Sequence, residues 1–487
     1  MTKFYNTSDE IQACHSELRS SFQTGVSLRT DFRKHQLRQL SFLLQDNADI
    51  IAEAISKDLG RCRFETIFAE IILTTNSAIE AYKNVDKWSK GDRPFAGIVW
   101  AFHRPTVRKE PKGTALVLGA WNYPISVQVG PVISAICAGC TVVLKPSEVA
   151  SHSAQLLAEL WPKYMDPRIS RVINGGVEET TELLDLRWDH IFYTGNGHVG
   201  RIVAAKAAQW LCPTTLELGG KSPVLIHESA NLATAAHRIL WAKTANCGQT
   251  CIAPDYVLCT RDVQDRFIEE LKKVVKEFWP NGTRASEDYA RIINDRQFNR
   301  LKNILENTKG SVALGGESDA KDKYIEPTVL KDTPRDDISM ADEIFGPILP
   351  IVTVENVEDA CTFIKNRDQP LSLYVFATDK VTEYIRQGTR SGSIVQGDLV
   401  IQYAVDTLPF GGTGPSGYGY YHGKPGFETF SHSRSSLNAP ASGVLGWVTE
   451  KLMSSRYPPY SDSKLNFLKA LLQKRVLSPR PKQEFKI

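Results

Sequence analysis

Long apolar runs are missing from this 487-residue chain, and with them any segment able to span a bilayer. Charge of one sign is also missing. The net charge is +3, and aromatic residues are not interleaved with basic clusters, so nothing here suits nucleic acid. The ten histidines do not cluster and no helix carries His-Glu-x-x-His, so no metal is expected. A disulfide framework is absent too. The cysteines, at Cys14, Cys62, Cys137, Cys140, Cys212, Cys247, Cys251, Cys259 and Cys361, are odd in number and scattered. With no signal peptide ahead of them, they predict reduced thiols in a cytosol-like compartment. The sequons at Asn6 and Asn281 then carry no meaning. No repeat recurs at solenoid spacing. What remains is an ordinary globular composition, 42% apolar and 23% charged, in a chain long enough for two or three domains.

The first ninety residues read as amphipathic helices. Leu37, Leu40, Leu44, Ile51 and Ile55 fall on one face, and Phe64 to Tyr82 continues in that manner. Gly91 and Pro94 break the pattern, and Ile98 to Arg108 has strand character. An alternation of short apolar strands and helices follows, with strands at Thr114–Leu118, Thr141–Leu144, Arg171–Ile173, His190–Tyr193 and Thr214–Glu217. Such alternation predicts right-handed parallel crossovers and a nucleotide-binding type of sheet. A second series starts at Pro223–Ile226 and runs past Leu371–Phe376. Gly219 and Gly220 supply a joint between the two series. The expected fold class is therefore α/β, with two doubly wound domains.

Asn246-Cys247-Gly248-Gln249-Thr250-Cys251 sets a thiol in a polar loop between a helix-like and a strand-like run. Access and ionisation are expected to be easier there than in a helix. Cys247, nearer the helix, reads as a structural or accessory thiol. Upstream, Leu216-Glu217-Leu218-Gly219-Gly220 places a carboxylate just before two glycines. Cys251 as nucleophile and Glu217 as base can make and break a covalent acyl intermediate. Gly195-Asn196-Gly197-His198-Val199-Gly200 follows a strand and opens a helix, the setting a dinucleotide fingerprint needs, although a plain glycine-rich turn fits equally well. Gly220-Lys221-Ser222 only imitates a phosphate loop, because Thr215 occupies the position of its first glycine. Cys137-x-x-Cys140 lies in an apolar helix and reads as two buried structural thiols. In Trp121-Asn122-Tyr123-Pro124, the Asn122 amide at the end of a strand is placed to donate to developing charge.

Together these motifs resemble the aldehyde dehydrogenase superfamily from about Glu65 to Ser431. The resemblance is carried also by Lys145-Pro146-Ser147-Glu148, Phe192-Tyr193-Thr194-Gly195, Glu343-Ile344-Phe345-Gly346-Pro347 and Pro409-Phe410-Gly411-Gly412. Cys251-Ile-Ala-Pro-Asp255, Pro370 to Phe376 and Arg456-Tyr-Pro-Pro-Tyr460 are similar to the class 3 branch. The resemblance implies a Rossmann-like NAD(P)-binding domain (1–93 and 109–217) and a catalytic domain (218–415). It also implies a small β bridging, oligomerising element (94–108 and 427–445) that makes a homodimer, followed by a tail (446–487). It implies that NAD or NADP lies along Trp121, Lys145, Glu148, Thr194, Gly195, Asn196, Gly197, His198, Val199, Gly200, Leu218 and Gly219, with Glu343 on the nicotinamide ribose and Phe345 beside it. Cys251, Glu217 and Asn122 would oxidise an apolar aliphatic, aromatic or apocarotenoid-type aldehyde to its acid. Departures from the class 3 pattern stand at Gly397, where asparagine is usual, Gln402, where histidine is common, and Pro415, in place of asparagine.

Two other readings compete. In a coenzyme A-acylating dehydrogenase, coenzyme A resolves the thioester, against which a water-activating Glu217 argues. A non-catalytic structural member would typically have lost the nucleophile or base, and both are here. In the tail, Leu465, Phe467, Leu468, Leu471 and Leu472 recur beside Lys469, Lys474 and Arg475. Such a basic amphipathic helix suits either peripheral contact with a membrane surface or the protein's own substrate entrance. The expected location is cytoplasmic, with membrane contact at most peripheral.

Overall fold

The computed structural model describes residues 5–474, the side chain of Ile98 aside. Contacts divide the chain into two compact units, residues 1–88 with 111–431, and residues 89–110 with 432–487.

The first unit holds two large sheets and a small two-stranded one, Ser318–Asp319 with Tyr324–Ile325. Strand Thr114–Leu118 is buried along its whole length, as is Thr141–Lys145, which is what a parallel strand covered on both faces requires. The first sheet runs in the order Gly417–Tyr418, Thr214–Leu218, His190–Gly195, Thr114–Leu118, Thr141–Lys145, Ser170–Val172. All neighbours are parallel except Gly417–Tyr418, an antiparallel edge added by the returning chain. Sequence pattern gave no hint of that edge. It depends on glycine: at Gly417, φ is 117° and a Cβ would fall 1.9 Å from the Leu216 carbonyl oxygen. The second sheet runs Ser393–Gln396, Ser372–Phe376, Pro223–Ile226, Tyr256–Cys259, Ile348–Thr353, Thr328–Lys331, Ser311–Leu314. Only its last strand is antiparallel.

Helices cover both sheets through their apolar faces. Leu37, Leu40, Leu44, Ile51 and Ile55 are all buried in one core with Val117, Val142 and Leu144 of the first sheet. The helix expected through Phe64–Tyr82 is interrupted, because Ile67–Ile72 forms a π-helical turn between Arg63–Thr66 and Leu73–Ser89. Such a bulge re-aims side chains and is common at functional sites.

Strand Thr106–Pro111, which lies in the second unit up to Glu110, pairs with Ser431–Ser436, which lies there from His432, in a two-stranded ribbon. The strand expected from Ile98 is corrected here: Ile98–Ala101 is a short helix after Gly97, and the strand starts only beyond Pro105. Arg104, at φ 46°, turns the chain before it can pair. Helices Gly443–Met453 and Asp462–Leu472 follow. The apolar residues expected of the tail helix lie in the latter, while Arg475 lies outside the described residues. No helix among the described residues is long and apolar enough to cross a membrane.

Candidate active site

Because the inner strands of the first sheet are parallel, their carboxyl ends share one edge. Leu118 lies beside Lys145 on one neighbour and beside Tyr193 on the other, and Thr194 and Gly195 pair with Glu217 and Leu218. The chain order reverses at Thr114–Leu118, whose successors flank it on opposite sides. This is the switch point at which open α/β sheets bind ligands. Asn122, Lys145, Thr194, Gly195 and Glu217 are thereby gathered from four strand ends.

The helix Gly197–Gln209 opens at this edge. Asn196 caps it, its side chain accepting from the Val199 N–H at 3.0 Å. A Cβ on Gly200 would stand 2.9 Å from Leu218, so helix and strand approach as closely as a dinucleotide fingerprint demands of this glycine. A Cβ on Gly197 would meet only the Arg201 guanidinium, at 3.5 Å, and His198 is exposed. Lys145 and Glu148 form an ion pair at 2.6 Å. Thr194 Oγ1 and both carboxylate oxygens of Glu217 are buried without a hydrogen-bond partner in the chain. Burial with nothing to offset it pushes Glu217 well above the usual carboxylate range.

The cysteine arrives from the other sheet. Helix Leu232–Thr244 ends in a tight turn in which Asn246, Cys247 and Gly248 all take left-handed φ (51°, 54° and 72°). Two non-glycine residues in that region cost about 1–3 kcal/mol each, so other contacts must fix the turn. They do. The Asn246 N–H donates to Glu65 at 2.6 Å, and its side-chain amide donates to the carbonyls of Asn122 (2.8 Å) and Gln249 (3.0 Å). The Gln249 side chain donates to the carbonyls of Asn246 and Arg291 and accepts from the Ile293 N–H. Cys247 is buried, with its sulfur 3.5 Å from the Tyr289 hydroxyl, and is a packing residue. Cys251 is partly exposed. The expected easy ionisation is corrected: burial, then Glu343 and Glu217, hold its thiol above the ordinary range. A polar loop sequence does not report the carboxylates that distant segments bring beside it.

The Asn122 side chain is almost fully buried and donates to the Gln249 carbonyl at 3.1 Å. An amide nitrogen carries two hydrogens, so one fixes the group and one is left for another acceptor. The Asn122 carbonyl in turn accepts from the Arg61 guanidinium. Arg61 is fully buried, pairs with Glu70, donates to Asn246 Oδ1 at 3.2 Å and lies 4.5 Å from the Tyr123 ring centre. Glu70, also fully buried, accepts from the N–H groups of Ile125 and Ser126 at 2.6 and 3.1 Å. One buried ion pair thus joins the Asn122 loop to the cysteine loop. Sequence reading missed Arg61, Glu65 and Glu70, because none of them stands in a motif that points to chemistry. Only the π-helical turn sends Glu70 inward.

The Glu343–Pro347 loop closes the far side. A Cβ on Gly219 would sit 2.0 Å from a Glu343 oxygen, and Trp121 meets Phe345 edge to face at 5.3 Å. Asp255 accepts from the Ile344 N–H at 2.8 Å and pairs with Lys221. Lys221, part of the apparent phosphate loop, is therefore a tether. Burial, and next the Asp255 charge, push Glu343 up to about 8. Behind Cys251, the Tyr374 hydroxyl donates to the Ile252 carbonyl at 2.6 Å, and Gln402 donates to that hydroxyl at 3.2 Å. Gly397 has φ 74°, a conformation open to glycine and tolerated by asparagine, which accounts for that departure. Pro415 sits inside the short turn Gly414–Ser416. Among the described residues no cluster of His, Cys, Asp and Glu could hold a metal.

This arrangement has counterparts. The model of the aldehyde dehydrogenase family matches residues 4–436. The chain is 43% identical over 459 residues to rat aldehyde dehydrogenase family 3 member A2, covering 94% of this chain and 93% of that one. It is 44% identical over 443 residues to the rat dimeric NADP-preferring aldehyde dehydrogenase, covering 91% and 96%. Among solved structures, AldH of Staphylococcus aureus in a substrate-bound state superposes with a TM-score of 0.89 at 37% identity, covering 95% and 99%. A Mycobacterium tuberculosis aldehyde dehydrogenase complexed with NAD+ superposes with a TM-score of 0.81 at 25% identity, covering 90% and 92%. The chain belongs to the aldehyde dehydrogenase family.

Proposed function

We propose that this protein oxidises an apolar aldehyde, of the aliphatic, aromatic or apocarotenoid type, to its carboxylic acid with NAD or NADP, through Cys251, Glu217 and Asn122. The observation that carries the reading is Glu217, buried with both oxygens unpartnered at the strand edge that also bears Asn122. A partnerless buried carboxylate destabilises a fold, and a base for water gives it a purpose.

The Cys251 sulfur, once deprotonated, attacks the carbonyl carbon and forms a C–S bond, giving a thiohemiacetal. The oxyanion takes the free Asn122 N–H and the Cys251 backbone N–H. One such donor is worth about 2.7–4 kcal/mol in the transition state. When bound, the dinucleotide supplies a hydride acceptor, and loss of hydride from the same carbon leaves a thioester. Glu217 then removes a proton from water as its oxygen attacks the thioester carbon. The C–S bond breaks, and the acid leaves Cys251 free. Absence of partners for Glu217 within the chain suits this step, since its oxygens are left to water.

The residues present fit a dinucleotide. The uncapped N–H groups of Gly197 and His198 begin a 13-residue helix and favour phosphate. Thr194 Oγ1 is an orphan at the same edge, Lys145 and Glu148 suit the adenosine ribose, and Trp121, Leu218 and Gly219 line the way to Glu343 and Phe345 at the nicotinamide end. Glu148 already pairs with Lys145, so its charge is partly offset toward a 2′-phosphate, and both cofactors are expected to serve. We assign the sheet of Thr114–Leu118 to the cofactor, that of Pro223–Ile226 to catalysis, and the ribbon edge Ser431–Ser436 to a homodimer. The test is a panel of medium-chain, long-chain and aromatic aldehydes with each cofactor, following the reduced nicotinamide and the acid. No reduced cofactor with any of them would falsify the reading.

A further inference from the structure

A small polar cavity lies between helix Leu73–Ser89, the start of helix Ser126–Ala138 and the loop through residues 403–406. Its polar walls are Thr74, Ser77, Ser126, Tyr403, Asp406 and His422, and its volume is about 10 Å³, room for one water molecule. Three groups on those walls, Thr74 Oγ1, Ser126 Oγ and His422 Nδ1, are buried without a hydrogen-bond partner in the chain. Buried polar atoms are normally satisfied, and an enclosed water makes about three hydrogen bonds, so three orphans around one such hole call for a water. His422 is also held deliberately. It takes φ 80°, and its ring is clamped by those of Tyr421, Tyr403 and Phe410 at 4.5, 4.7 and 5.6 Å. Burial pushes its imidazole down to about 4, so it faces the cavity uncharged.

The cavity has a neighbour on each side. Inward, the Tyr403 hydroxyl lies 3.2 Å from that of Tyr421. Burial holds the Tyr403 phenol up and the hydroxyls of Tyr421 and Ser126 ease it, although Ser126 stands beyond direct hydrogen-bond geometry. That is a gap a single water can bridge. Both tyrosines pack with Cys251 in one cluster. Burial, then the charges of Tyr403, Glu217 and Cys251, keep the proton on Tyr421, so this phenol stands within electrostatic reach of both catalytic groups. Outward, Asp406 is only partly buried and accepts from the Ser77 hydroxyl at 2.7 Å. Burial, with the Glu80 charge adding to it, holds Asp406 above the usual carboxylate range. Two phenols, a water and a carboxylate therefore lead from the catalytic cluster toward solvent. Phenol and water oxygens each donate and accept, so each can take one proton and pass on another without becoming charged.

We propose that this cavity holds one ordered water joining Tyr403 to Asp406, and that Tyr421, Tyr403, this water and Asp406 carry the proton of thioester hydrolysis out to solvent. The path rests on the hydrolysis assigned to Glu217; the water site does not. As the attacking water adds its oxygen to the thioester carbon and the C–S bond breaks, its proton goes to Glu217. Glu217 has no partner in the chain, so the first hop runs through water in the cleft to Tyr421. The Tyr421 proton passes to Tyr403, the Tyr403 proton to the cavity water, and a proton of that water to Asp406, which yields it to solvent. Glu217 is then a base again. The first test is a high-resolution crystal structure, expected to show a water bonded to at least two of Thr74, Ser126 and His422. The second acylates Cys251 in a single turnover and follows loss of the acyl group by mass spectrometry. Tyr403→Phe and Asp406→Asn keep the size of each side chain and are each expected to slow that loss about tenfold or more. Imidazole, a soluble proton carrier, is expected to restore Asp406→Asn, which it could not do for a purely structural defect. A dry cavity overturns the water site and the path with it. Loss as fast as wild type in both variants, or a slow Asp406→Asn that imidazole leaves slow, overturns the path alone. A wild-type chain that never forms the acyl enzyme overturns the aldehyde reading and the path together, before any variant is made.

Discussion

Replacing Glu217 by glutamine should divide the reaction into a step that survives and a step that stops. The side chain keeps its size, so Cys251 and Asn122 stay in place, but the base is gone. A positioned general base contributes about 10²–10⁴-fold, equivalent to roughly 2.7–5.5 kcal/mol at 1.36 kcal/mol per decade. That loss falls on thioester hydrolysis alone. Rapid mixing of Glu217→Gln with aldehyde and cofactor should give a burst of reduced nicotinamide near one equivalent of sites, followed by almost no turnover. The acyl group should be recoverable on Cys251 by mass spectrometry. A stability signature accompanies this. An unfolded glutamate ionises near 4.3, whereas burial holds the proton on Glu217 to a higher pH in the folded chain. The folded state therefore binds more protons, and this residue subtracts stability progressively as pH rises above the unfolded value. Glutamine cannot ionise, so the variant's advantage in thermal midpoint should be absent in acid and grow toward neutral pH and beyond. A variant with no burst, or with undiminished steady-state turnover, or with a midpoint difference indifferent to pH, would refute the assignment of Glu217.

Arg61→Met strands the buried Glu70 carboxylate, which should cost about 3–5 kcal/mol of stability and lower kcat by loosening the Asn122 and Asn246 loops. Arg61→Lys keeps the charge and should recover most of the stability with only part of kcat, as thermal melts and steady-state rates would report. Glu343 needs its charge to accept from ribose hydroxyls, and its carboxyl is held up to about 8. The KM for oxidised cofactor should therefore fall as pH rises through that value, and Glu343→Gln should flatten the profile. Cys247→Ala should destabilise modestly and leave a reactive thiol behind, whereas Cys251→Ala should abolish acyl transfer; iodoacetamide labelling with peptide mapping separates the two.

Periodicity and short motifs made much of this protein readable before any coordinates. Thr114–Leu118 and Pro223–Ile226 were legible to the residue, because parallel strands buried on both faces must be short and uniformly apolar. Gly200 was legible because helix and strand can approach so closely only at glycine. Cys251, Glu217 and Asn122 stood out because each sits in a short motif, a polar loop, a strand end before two glycines and a Pro-bearing turn, whose order along the chain resembles one family. The partners of those residues lay beyond reach. Arg61 meets Asn122 across 61 positions and Asn246 across 185, and nothing local distinguishes it from a surface arginine. The protonation of Cys251 and Glu343 was equally hidden, since it depends on burial and on carboxylates delivered by distant segments. Local pattern determines what each segment becomes, because backbone geometry and apolar spacing act over a few residues. Which charges end up unhydrated and side by side is decided by the packing of distant segments, and only the tertiary structure holds that.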